Sequence, residues 1–71
     1  MSDIAVLLNG EASTVQRGTT VAELVRAAVG TTAARGLAVA VNASLVPRGR
    51  WEMTTVDDGD RIELLSAAQG G

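Results

Sequence analysis

The sequence predicts an α+β domain, a mixed sheet of four to five strands packed on one main helix, spanning residues 1–66 and followed by a flexible tail at 67–71. Three observations predict it. An alternating apolar segment runs into an Asn-Gly pair. One capped helical segment follows. Three further short extended segments then lead to a final Gly-Gly.

Ile4, Val6 and Leu8 alternate with their neighbours, the period-two pattern of a strand buried on one face. Asn9-Gly10 suits a two-residue hairpin, because both positions tolerate positive φ, and residues 12–17 form the return strand. Gly18 breaks the pattern. Thr20 and Glu23 then have the spacing of a capping box, in which each side chain satisfies a free amide at a helix start. Val21, Leu24, Val25 and Ala28 share one helical face, and Gly30 is placed to end the helix. Residues 31–36 are a loop. Leu37 to Val41 form an apolar strand, Asn42-Ala43 a turn, and Leu45-Val46 a short extended piece that Pro47, lacking an amide hydrogen, confines to an edge or an exit. Asp57-Asp58-Gly59-Asp60 is a turn. Ile62 and Leu64 alternate with Arg61, Glu63 and Leu65 in a last strand.

Composition narrows the function. A chain of 71 residues makes one small domain with a limited core. It contains no Cys, His, Tyr or Phe, and its six basic residues are all arginine. The usual nucleophiles, the imidazole base and the Schiff-base amine are therefore missing, which favours a carrier, tag or binding module over an enzyme. The net charge of −2, with arginines scattered singly, argues against a nucleic-acid interface. The N-terminus lacks a basic residue ahead of an apolar run, and no apolar stretch reaches the length of a membrane span, so a cytoplasmic protein without membrane attachment is expected. No resident cofactor is expected. Asp57, Asp58 and Asp60 lack the remaining ligands of a calcium loop and read as a turn with solvated charges. Trp51 reads as cover for the edge of a small core, Arg48 and Arg50 as surface charges, and Asn42 as a turn residue acting through its own side chain.

Two features carry functional expectations. One helix covers one face of the sheet, so Ala5, Leu7 and Leu65, out of phase with the inward set, belong to the open face. Exposed single hydrophobes are ordinary, but an adjacent Leu7 and Leu65 would make a docking patch. The second feature is Gly70-Gly71. Without Cβ atoms these residues fit a narrow channel, and the α-carboxylate of Gly71 would become reactive once adenylated by ATP. Sulfide or an amine could then displace AMP. The chain itself has no phosphate loop, so another protein would have to hold the ATP.

Leu8-Asn9-Gly10, Thr20-Val21-Ala22-Glu23-Leu24, Leu37-Ala38-Val39-Ala40-Val41-Asn42, Val46-Pro47-Arg48 with Trp51, Asp58-Gly59-Asp60 with Ile62-Glu63, and the closing Gly70-Gly71 together resemble the thiamine-pathway sulfur carrier family, ThiS. The resemblance covers nearly the whole chain in the family's order. It implies a ubiquitin-like β-grasp fold and a carrier that is a recycled co-substrate, not an enzyme. A ThiF-type adenylating enzyme would activate Gly71 with ATP and magnesium. Cysteine-derived sulfur would convert it to a thiocarboxylate, and thiazole synthase would accept that sulfur. Gly70 would keep the approach slim. The small subunit of molybdopterin synthase shares the fold and the terminal Gly-Gly, but Val46-Pro47-Arg48, Trp51 and the short length favour the thiazole carrier. A ubiquitin-like protein modifier and a plain β-grasp interaction module are the remaining alternatives.

Overall fold

The computed structural model describes residues 2–33 and 35–66; the tail assigned to 67–71 lies outside the described residues. Strands β1 (Asp3–Leu8) and β2 (Glu11–Gln16) form the first hairpin. Asn9 and Gly10 both take positive φ, at 51° and 84°, the geometry of a type I′ turn whose twist matches that of the strands it joins. Helix α1 (Val21–Val29) begins at the expected capping box. The Glu23 amide donates to Thr20 Oγ1 at 3.1 Å, and the Thr20 amide donates to Glu23 Oε1 at 2.9 Å. Gly30 closes the helix in the left-handed region, at φ 86°, with its N–H donating to the Arg26 carbonyl at 2.8 Å.

Strands β3 (Leu37–Val41), β4 (Ser44–Val46) and β5 (Arg61–Ser66) complete a five-stranded sheet in the order β2-β1-β5-β3-β4. The last strand in sequence is thus central, parallel to β1 and antiparallel to β3. This is the mixed sheet on one helix of the β-grasp class expected from the sequence. One element was not expected. Residues Arg48–Met53 form a 3-10 helix that carries Trp51 into the core, where it is 2% exposed and its indole N–H donates to the Val46 carbonyl at 2.9 Å. Trp51 is therefore a core residue with a satisfied polar tip rather than a cover at the core's edge.

The core comprises Ile4, Val6, Val21, Ala22, Leu24, Val25, Val39, Trp51, Val56 and Ile62. Ala28, expected on the buried face of α1, is exposed, and Ala22 is buried instead. The segment after β4 explains the exchange. It crosses α1 over its first turns: the Val21 amide donates to the Thr54 carbonyl at 2.8 Å, the Val56 amide donates to the Thr19 carbonyl at 3.0 Å, and Arg26, one turn after Ala22, pairs with Glu52 at 3.5 Å. That pair is half-exposed on one side and mostly exposed on the other, so it contributes little beyond marking the contact. The helix is covered on two sides at its start and on one side at its end.

The second hairpin turn, Asn42-Ala43, repeats the left-handed geometry of the first, with φ of 52° and 71°. An alanine Cβ is disfavoured there, by about 1–2 kcal/mol. Ala43→Gly is expected to stabilise the domain by about 1 kcal/mol in urea unfolding, whereas Ile62→Ala, which empties a fully buried site, should cost about 2–5 kcal/mol.

Candidate functional site

The site candidates lie along β5 and on the sheet face that α1 leaves open. Along β5, Ile62 points into the core and Leu64 is half-buried beside it, while Arg61, Glu63 and Leu65 face outward. Cross-strand partners share a face, so the register defines the open surface. Ala38 stands opposite Leu65, and Ala40 stands between Glu63 on one side and Leu45 on the other. Leu65 and Leu45 are 50% and 70% exposed, with the two alanines of β3 between them. Ala40 itself is 5% exposed although it faces away from the helix, because its taller neighbours shield it. Leu65, Ala38, Ala40 and Leu45 thus make a shallow apolar strip beside the strand that leads to residue 67.

Leu7 faces the same side and is 41% exposed, but it pairs with Arg61 on β5 and Ala12 on β2. Leu65 lies four residues further along β5, about 14 Å away by strand geometry. The structure does not bring Leu7 and Leu65 together. Leu45 takes the place that Leu7 was expected to hold beside Leu65. Sequence reasoning missed Leu45, Ala38 and Ala40 because the order of strands across a sheet is not written in the order along the chain. Gly70 and Gly71 lie outside the described residues.

Two turns hold β5 in place. Asn9, in the first hairpin turn, accepts the Leu64 amide on its Oδ1 at 2.9 Å. Asn42, in the second, accepts the Arg61 amide at 2.9 Å and donates from Nδ2 to Asp60 Oδ1 at 3.0 Å. Asn42 was expected to serve its own turn; its side chain instead ties that turn to the neighbouring strand. The acidic turn is likewise more than solvated charge. Asp58 Oδ1 accepts the Ala5 amide at 2.8 Å, and Asp60 Oδ2 accepts the Asp57 amide at 2.8 Å. Among the described residues no group of His, Cys, Asp or Glu could hold a metal ion, and no described helix is long and apolar enough to cross a membrane.

Away from the strip, Arg48 is not simply a surface charge. Its guanidinium lies 4.5 Å over the Trp51 ring and donates to the Thr32 carbonyl, pinning the loop after α1 to the 3-10 helix. An open depression of about 150 Å³, lined by Ala43, Arg61 and Glu63, lies on the same side of the sheet as the strip. Its two charges are opposite, so it offers no net charge to a ligand.

Three comparisons bear on this geometry. The model of the ThiS family matches residues 6–71. The sulfur carrier protein ThiS of Escherichia coli (strain K12) is 38% identical over 66 residues, covering 93% of this chain and 97% of its own length. The crystal structure of thiamine biosynthesis protein ThiS from Geobacter metallireducens has a TM-score of 0.73 at 32% sequence identity, covering 89% of this chain and 93% of that one.

The clasp on β5 can be tested apart from backbone strain. Asn42→Gly keeps the left-handed turn but removes both side-chain bonds, and is expected to cost about 1–2 kcal/mol in urea unfolding. Asn42→Ala should cost more, because it loses the bonds and adds the strain. Equal stability of the two variants would show that the bonds alone matter.

Proposed function

Given that this chain belongs to the ThiS family, a family of sulfur carriers rather than enzymes, we propose that the sulfur is carried on the α-carboxylate of Gly71. The match to the family model supports this reading most directly, because it extends through the Gly70-Gly71 pair. The chain lacks Cys, His and Lys, so it has no side-chain thiolate or amine to hold sulfur covalently.

The chemistry is acyl activation. A ThiF-type enzyme holds magnesium ATP. A carboxylate oxygen of Gly71 attacks the α-phosphorus, pyrophosphate leaves, and an acyl-adenylate forms. Sulfur derived from cysteine adds to the acyl carbon, AMP departs, and a thiocarboxylate remains. Thiazole synthase takes the sulfur into its ring-forming reaction, and an oxygen from water or from the sulfur acceptor replaces it on the acyl carbon, which regenerates the carboxylate. Gly70 and Gly71 keep the end of the chain slim enough for a narrow channel.

The strip of Ala38, Ala40, Leu45 and Leu65 is the docking face in this reading. It lies beside the strand leading to the tail, it is apolar, and Leu45 and Leu65 project from it.

Three experiments test the proposal. Incubation with magnesium ATP, a ThiF-type enzyme and a sulfur source should raise the intact mass by one exchange of oxygen for sulfur. Deletion of Gly71 should abolish the gain, and persistence of the gain in the deletion would place the sulfur elsewhere. A residue added after Gly71 should block pyrophosphate release. Leu65→Arg should weaken binding to the activating enzyme while shifting stability by no more than about 0.5 kcal/mol; unchanged affinity in a titration would remove the strip from the docking face.

A further inference from the structure

The two edges of the sheet are guarded differently. β4 is three residues long and runs into Pro47, which has no N–H to offer. β2 is six residues long and pairs one-to-one with β1 from Asp3–Gln16 to Leu8–Glu11, without a bulge. It contains no proline or lysine, and among the described residues no strand lies beyond it. Such an edge is a ready template for another strand.

The hydrogen-bond phase shows which groups it presents. The Leu7 and Asn9 amides donate toward β5, to the Asp60 and Ile62 carbonyls, and the Ala5 carbonyl accepts from Gly59. The odd residues of β1 therefore face β5 and the even ones face β2. In an antiparallel pair the opposed residues exchange bonds alternately, so Glu11, Ser13 and Val15 face β1, and the Arg17 amide continues that series by donating to the Ser2 carbonyl at 3.3 Å. Ala12, Thr14 and Gln16 point their backbone groups outward. The Gln16 carbonyl is turned to Thr19, whose amide and hydroxyl both donate to it, and this ends the free edge.

We infer that β2 pairs with β2 of a second copy of this chain, antiparallel and centred on Thr14. Outward-facing residues must meet outward-facing residues, so Thr14 meets Thr14 across the two-fold axis and the Gln16 amide donates to the Ala12 carbonyl, while the Gln16 carbonyl stays with Thr19. This register sets Glu11 of each copy opposite Arg17 of the other, twice, in the non-hydrogen-bonded positions where side chains approach most closely. Moving the partner by two residues in either direction puts Val15 opposite Glu11, or Ser13 opposite Arg17, and loses both charge pairs. The Arg17 Nε already donates to Ser2 Oγ at 3.0 Å, which holds the side chain near the strand's end. The product is a ten-stranded sheet. β2 is separated from β5 by β1, so the apolar strip on β3, β4 and β5 stays open in both copies, and one dimer offers two activatable tails.

Charge reversal on the full-length chain tests the register. Glu11→Arg and Arg17→Glu each turn two attractive contacts into repulsive ones, and each should weaken self-association roughly tenfold in sedimentation equilibrium. The double variant E11R/R17E should restore it. Thr14→Pro removes an outward N–H without touching the pairing to β1, and should abolish the dimer while circular dichroism reports a folded monomer. The Thr14 and Gln16 amide resonances of the unaltered protein should move with concentration. A chain that stays monomeric at the highest soluble concentration would overturn the inference, as would single charge reversals that sediment like the parent. Concentration-dependent shifts confined to β4, or β2 amides that move only when a different protein is added, would overturn it as well.

Discussion

Everything in this structure depends on one helix closing one side of one sheet. Among the described residues no further layer covers the sheet, and without cysteine there is no disulfide to share the task. Val21, Val25, Val39 and Ile62 are fully buried, and they come from α1, from β3 and from β5. The cluster cannot form until the last strand has entered the middle of the sheet. Trp51 then fills the space under the segment that crosses the start of the helix. A single 3-10 helix thereby does what a second helix does in larger domains, and its indole N–H is satisfied within five residues.

The same dependence accounts for the polar contacts. Asn9 and Asn42 sit in separate turns, far apart in sequence, yet each accepts a backbone amide of β5. Asp58 and Asp60 secure the turn that feeds the strand. Side chains that look like local turn formers are also the fasteners of the central strand. Their placement keeps β5 in register with β1 and β3, which in turn fixes where the open-face residues stand.

Much of this was legible in the sequence because it is local. The capping box of Thr20 and Glu23, the Asn9-Gly10 hairpin and the glycine that ends the helix each depend on residues within a few positions of one another. The alternation in β1 and β5 correctly separated the inward from the outward side chains. What could not be read depends on contacts across the chain. Leu7 and Leu65 share a face, but the parallel pairing of Leu7 with Arg61 keeps them apart, and Leu45 reaches the strip beside Leu65 only because β3 lies between β4 and β5. Ala28 was expected inside and Ala22 is there instead, because the cover over the first turns comes from a segment thirty residues away in sequence. The 3-10 helix has no strong periodicity of its own; it exists because Trp51 has a core to enter.

The central position of β5 has a mechanical consequence. A pull on the C-terminal end of β5 acts along the axis of a strand that is antiparallel to β3 from Ile62 to Ser66 and parallel to β1 at Arg61 and Ile62. The ladder bonds lie across that direction, so they bear the load in shear and share it, rather than opening one after another as they would on an edge strand. In the proposed function, a partner that draws on the chain end therefore pulls on a strand in the middle of the sheet. Under the proposed function, a load on the chain end is borne by the ladder of β5 rather than by an edge strand.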